Sequence, residues 1–184
     1  MKKLLLLTAS ILMVAAVAFA ATIAFDGFDY ADGSLVGNGA WFTHSGTAGD
    51  LMVSGGQAVV QHGAPSEDVT LPFTAGSTSS KLYYRFDFSV DDLGEPISGT
   101  DNEYFAHFKD DGFGFRARLD IVPPSGGGDY SVGIATSAGA ADATWPTDLM
   151  YGQTYTAVAL YDQGANIAQL WIDPVDESSD SITG

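Results

Sequence analysis

Beyond residue 21, apolar and polar positions alternate with period two, and no window carries the three-and-four spacing of an amphipathic helix. The alternation predicts strands over 22–28, 51–53, 57–61, 68–73, 81–90, 103–109, 112–122, 130–136, 154–161 and 167–172. In 81–90, Tyr84, Phe86, Phe88 and Val90 form the predicted buried face, with Tyr83, Arg85, Asp87 and Ser89 opposite. In 112–122, Phe113, Phe115, Ala117, Leu119 and Ile121 alternate with Gly114, Arg116, Arg118 and Asp120, so both arginines are expected on one polar face. Tyr130, Val132, Ile134, Leu170 and Ile172 repeat the inward pattern. Each such burial contributes about 1.5–3 kcal/mol, enough in sum to drive folding of a chain without disulfides. Between the strands lie turn formers such as Ser54-Gly55-Gly56, Asp110-Asp111-Gly112 and the run Pro123-Pro124-Ser125-Gly126-Gly127-Gly128. Many strands with short turns predict an all-β fold, a sandwich or a closed barrel.

Residues 1–21 read differently. Lys2 and Lys3 precede an apolar run from Leu4 to Val17, and Ala18-Phe19-Ala20 supplies the small-x-small cleavage site of a secretory signal peptide. The run is too short to remain as a span, which wants about 20 apolar residues. The expectation is therefore a secreted protein, extracellular, at the cell surface or periplasmic, with no membrane segment after cleavage. The remaining roughly 160 residues suit one domain.

Composition narrows the chemistry. There is no cysteine, so disulfides, thiol nucleophiles and thiolate metal sites are excluded. Seven basic against 23 acidic residues give −16; losing Lys2 and Lys3 with the leader leaves five against 23, or −18. Nucleic acid, which needs the opposite sign, is an unfavourable partner. Acidic clusters at Asp91-Asp92 to Glu95, Asp101-Asn102-Glu103, Asp110-Asp111 and Asp173 to Glu177 make calcium the cation to consider, but none follows the helix-loop-helix pattern. Paired carboxylates at alternate positions of one strand, as a retaining glycosidase would need, are absent. So is Gly-x-Ser-x-Gly, and His44, His62 and His107 fall in no metal-ligand spacing.

A binding surface is easier to derive. All five basic residues after the leader lie between 81 and 118. If their strands are neighbours, Tyr83, Arg85, His107, Lys109, Arg116 and Arg118, with Phe105, form a cationic and aromatic patch suited to a glycan, above all an acidic one. The alternative is that Arg85, Arg116 and Arg118 pair across strands with Asp87 and Asp120. Of the tryptophans, Trp145 lies in a loop-like stretch and is a candidate stacking platform, Trp171 should face away from Leu170 and Ile172, and Trp41 could cap the fold; packing is the competing role of each.

Several strings carry a family resemblance: residues 26–35 (Asp-Gly-Phe-Asp-Tyr-Ala-Asp-Gly-Ser-Leu), Trp41 with His44-Ser45-Gly46, residues 104–109 before Phe115-Arg116-Ala117-Arg118, and Leu170-Trp171-Ile172-Asp173-Pro174. Together they resemble laminin-G-like, concanavalin A-like lectin/glucanase domains, in particular those of secreted bacterial proteins with a PEP-CTERM sorting signal. The resemblance implies an antiparallel β-sandwich of the jelly-roll kind over 22–174, a role in carbohydrate recognition or adhesion, and in some members calcium. The hydrolases of that superfamily carry a paired-carboxylate strand that this chain lacks. After Pro174, residues 175–184 read as an acidic flexible tail with no closing strand and no sorting signal, as if the sequence stops short of its natural terminus. The reading is a non-catalytic module binding glycan or extracellular matrix polysaccharide. Its rivals are a structural or adhesive domain with no small ligand, and a polysaccharide hydrolase or lyase with an unrecognised site.

Overall fold

A computed structural model of the protein describes residues 22–61, 66–75, 77, 80–92, 103–137 and 139–184; the leader, His62, Glu95, Asp101 and Asn102 lie outside the described residues. Within them the chain forms strands and no helix. These are β1 (Gly33–Ser34), β2 (Phe42–Gly46), β3 (Met52–Ser54), β4 (Gln57–Val59), β5 (Glu67–Thr70), β6 (Lys81–Phe88), β7 (Glu103–Lys109), β8 (Phe115–Val122), β9 (Ser131–Ala135), β10 (Ala143–Thr144), β11 (Tyr155–Asp162), β12 (Ile167–Ile172) and β13 (Ile182–Thr183). All pairings are antiparallel, so the protein is all-β.

Two sheets of four strands dominate, in the orders β10-β9-β8-β7 and β13-β12-β11-β6. They face one another in a sandwich-like arrangement, β8 against β11 and β12, β9 against β12, and β10 beside β13. The predicted alternation explains why. Leu119, Val132 and Ile134 of the first sheet and Ala157, Ala159, Ala168 and Leu170 of the second are all fully buried in one shared core. Alanines on β11 and β12 leave room for Leu119 and Ile134 opposite, the large-against-small interdigitation that close packing requires. At the other side of the core, rings from β6 and β7 close the layers: Phe86 meets Phe105 edge-on at 5.9 Å, and Tyr84 meets Phe108 at 4.9 Å.

Two smaller sheets, β1-β3-β4 and β2-β5, build a second core of Leu35, Leu51 and Val53 beneath Phe28, Tyr30 and Trp41. Carboxylates fasten it. Asp26 accepts from the Phe28 N–H at 2.8 Å, the Tyr30 hydroxyl at 2.7 Å and the Trp41 indole N–H at 2.7 Å. Glu67 accepts from Thr43 Oγ1 at 2.6 Å and from the N–H groups of Gly49 and Leu51 at 2.9 and 3.0 Å. Gly46, at φ +81°, lets the β2 end approach residue 66, where a Cβ would sit 2.1 Å from the Ser66 carbonyl oxygen.

Three expectations are corrected. The segment 22–28 is not a strand, because Asp26 captures the Phe28 N–H in a local turn and Phe28 takes φ +56°. The stretch after Pro174 is no loose tail: Ser178 and Ser179 turn it on Asp176, and β13 pairs with Gln169 and Leu170. Between Ile172 and β13, Glu177 receives the Tyr83 hydroxyl at 3.0 Å and Ser181 accepts from Gln169 Nε2 at 2.7 Å, so this segment straps the outer face of the β6-β11-β12 sheet. Strict alternation also fails in β8. Phe108 pairs with Arg116 and Ala106 with Leu119, three steps on β8 against two on β7, and Ala117 sits at φ +46°. This is a β-bulge. It sends Phe115 to the outer face with Tyr104 and His107, and turns Arg116 toward Tyr161 of the facing sheet.

Two outcomes are expected. Ala117→Val, placing a branched side chain in a left-handed conformation at a fully buried position, should destabilise by about 2–4 kcal/mol in urea unfolding, whereas Ala117→Gly should stay within about 1 kcal/mol. Burial alone would raise the Asp26 and Glu67 carboxyls, but their donors outweigh it and hold both below the ordinary range. The unfolded chain therefore takes up these protons first: the stabilisation is complete above the ordinary carboxyl range, near pH ~4, and is lost as pH falls below it. Asp26→Asn should cost about 1 kcal/mol near neutrality and flatten the acid limb of the stability profile, read from urea midpoints across acid pH.

Candidate functional site

The outer face of β7 and β8 gathers mixed polar and aromatic chemistry, because the bulge at Ala117 and a second irregularity in β7 between Tyr104 and Ala106 align residues that straight alternation would separate. His107 stacks on Phe115 with centroids 4.1 Å apart, and Tyr104 lies 5.6 Å from His107 and 5.7 Å from Phe115. The Arg118 guanidinium sits over the Tyr104 ring at 5.3 Å. From the small β2-β5 sheet, Asp68 accepts from the Tyr104 hydroxyl at 3.1 Å and from Ser45 Oγ. His44 of β2 lies against Phe113, the ring at the tip of the β7–β8 turn, at 4.8 Å.

Arg118 and Asp120 form the base of this cluster. Two residues apart on β8, they share one face and make a double contact, Nη2 to Oδ1 at 3.0 Å and Nε to Oδ2 at 3.4 Å. Arg118 is 5 % exposed and Asp120 fully buried. Burial raises the Asp120 carboxyl above its ordinary range, with the Arg118 charge opposing. Lying on one strand, the pair keeps both ions compensated in a buried site, where neither tolerates the loss of the other. His107 is shifted downward: burial lowers its imidazole and prevails over the Phe108 carbonyl and Asp68, which raise it, with Arg118 and His44 acting in the lowering direction. Its Nδ1 lies 3.1 Å from the Phe108 carbonyl oxygen. A carbonyl only accepts, so Nδ1 carries the proton and Nε2 keeps its lone pair.

The predicted patch is thus divided. His107 and Arg118 come together, with Arg118 neutralised beneath the surface. Tyr83 and Arg85 stand on the outer face of the other sheet, since β6 pairs with β11 and not with β7 or β8. There Tyr83 is bound to Glu177, and burial, then that carboxylate, pushes its phenol up to about 12. Arg116 points away from Arg118, donating Nε to the Tyr161 hydroxyl at 3.1 Å and Nη1 to the Phe115 carbonyl at 2.7 Å. Lys109 ends β7, opposite Phe115. Phe105 packs inward in the main core. Trp145 follows β10 outside any strand, as expected; its backbone bonds Val132 and Ser131 and its half-buried ring packs against the core. Trp171 is 2 % exposed on the strapped face, opposite in direction to Leu170 and Ile172 as its parity predicts.

Phe113, Ser45 and Asp68 are the residues that sequence reasoning missed or misplaced. Alternation assigns Phe113 to the core, yet it is 68 % exposed. Asp110 Oδ1 takes the N–H groups of Gly112 and Gly114, at 2.8 and 3.0 Å, and so delays the strand until Phe115. The glycines on either side of Phe113 were the readable signal of that turn.

Among the described residues, no group of three or more His, Asp or Glu is arranged to hold a metal ion. Asp110, Asp173 and Asp176 of the acidic clusters accept backbone N–H groups. A shallow concavity elsewhere, between the Gly126–Gly128 loop and Asp148, is similarly closed by its own bonds: Asp148 receives the Ser125 N–H at 2.8 Å and the Gly126 N–H at 2.5 Å. The outer β7–β8 face therefore offers ring surfaces, with the Tyr104 hydroxyl held by Asp68 and the Arg118 charge by Asp120. Comparison with known proteins places no relative beside it: no family model, curated protein or solved structure matches the chain.

Asp120→Leu should cost about 3–5 kcal/mol, because it strands the Arg118 charge in a buried site. The double replacement Arg118→Met with Asp120→Leu should recover most of that loss, and the urea midpoints of the four proteins in the cycle measure the coupling.

Proposed function

We propose that the protein is a secreted, non-catalytic domain that binds glycan or matrix polysaccharide at the bacterial surface, through the outer face of β7 and β8. The observation that carries this reading is the run of rings there, from Tyr104 through His107 and Phe115, with the exposed Phe113 against His44 at one end. Flat aromatic faces stack on the C–H faces of sugars, and a rigid sheet above a buried ion pair holds them in place with little ordering cost on binding. The leader-like residues 1–21 and the absence of cysteine support an exported domain independent of disulfides. Two antiparallel four-stranded sheets around one core agree with the concanavalin A-like resemblance and its jelly-roll expectation.

A second reading, a structural or adhesive surface domain without a small ligand, is favoured by one feature: the heads of Arg116 and Arg118 serve internal contacts. The two readings separate on Phe113, whose exposed side chain has little to do for stability. Phe113→Ala should leave the urea midpoint within about 0.5 kcal/mol of the parent and weaken retention on the bound polysaccharide about tenfold, with Phe113→Trp restoring it. A blank glycan array for the folded protein, with calcium and again with chelator, would establish the structural reading instead.

A further inference from the structure

We infer that the ligand of this face is a neutral glycan, an inference that rests on the carbohydrate reading above and replaces the acidic ligand expected from the clustering of basic residues along the chain. Five basic residues follow the leader. Arg118 is buried and neutralised by Asp120. Arg116 is held by Tyr161 and the Phe115 carbonyl, away from the face. Lys81 and Arg85 belong to β6 in the opposite sheet. Only Lys109 remains near the rings, and the next two residues are Asp110 and Asp111.

Formal charge around the face is therefore two cations, Lys109 and Arg118, against four carboxylates, Asp68, Asp110, Asp111 and Asp120. The bonds from Gly114 and Gly112 keep the Asp110 carboxyl low, so it is ionised at neutral pH. Burial holds His107 toward its neutral form. A uronate or sulfated chain approaching this surface meets excess negative charge locally and −18 overall once the leader is gone. A neutral chain meets none of that repulsion and gains the same stacking on the exposed Phe113 ring, with the half-buried rings behind it.

Affinity electrophoresis of the folded protein tests this, with laminarin, agarose and starch as neutral probes and alginate, polygalacturonate and carrageenan as acidic ones. The expected result is retardation by at least one neutral polysaccharide, changing less than about twofold between about 50 mM and 500 mM salt, and none by the acidic set. The variant Asp111→Asn should bind the neutral probe as the parent does. Retardation by an acidic polysaccharide that weakens about tenfold with salt would overturn the neutral assignment while leaving the face a glycan surface. Absence of retardation by all six probes would overturn the inference together with the carbohydrate reading.

Discussion

The left-handed kink at Ala117 is the constraint on which the two sides of this molecule depend. β8 is an inner strand of its sheet and the one that meets both β11 and β12 of the other. Had it alternated without interruption from Phe113, Arg116 and Arg118 would lie together and Phe115 would enter the core. The bulge instead gives the core Ala117 and Leu119, gives the outer face Phe115 and Arg118, and frees Arg116 to reach across to Tyr161. A left-handed alanine costs about 1–2 kcal/mol. That cost is offset locally, since Tyr84 of the facing sheet donates its hydroxyl to the Ala117 carbonyl that the kink exposes.

A chain this acidic and without cysteine needs another means of fastening loops, and its carboxylates supply one. Asp26 ties the N-terminal segment to Trp41; Glu67 ties β5 to the loop before β3; Asp148 gathers the Ser125–Gly126 turn; Asp173 joins the end of β12 to Thr156. Each takes backbone or indole N–H groups, which are charge-assisted bonds stronger than neutral ones. Much of the acidity is thus structural. Among the acidic clusters, Asp110, Asp173 and Asp176 are occupied in this way by the protein's own N–H groups.

The sequence made the buried faces of long strands legible and left the sheet order hidden. Tyr84, Phe86 and Phe88 alternate inward as their spacing predicts, and β7 and β12 match their predicted limits, because burial of large side chains dominates local choice there. β1, β2, β10 and β13 were missed: three hold two residues each and pair only because tertiary neighbours present an edge, and β2 is mostly polar. The patch failed for a topological reason. Tyr83 and Arg85 are close in sequence to His107 and Lys109, yet β6 hydrogen-bonds to β11, some seventy residues later. Periodicity reports which way a side chain points within a strand; it carries no information about which strand lies beside it. The bulge was equally invisible, as alanine is an ordinary strand residue without the glycine that often marks a left-handed position.

The charge distribution bears on function through the same geometry. Basic residues concentrated between 81 and 118 look like an anion-binding stripe when read along the chain. Folding disperses them: Lys81 and Arg85 go to the outer face of the β6 sheet, Lys109 goes to the end of β7, Arg116 reaches across to Tyr161, and Arg118 goes under a tyrosine with its own counter-ion. What the fold concentrates in their place is aromatic surface. On the outer β7–β8 face the ion pair of Arg118 and Asp120 lies below the rings, with the guanidinium 5.3 Å from the Tyr104 centroid, and carries no net charge. The face thus presents aromatic rings with one lysine at its margin, in place of the anion-binding stripe that the linear sequence implied.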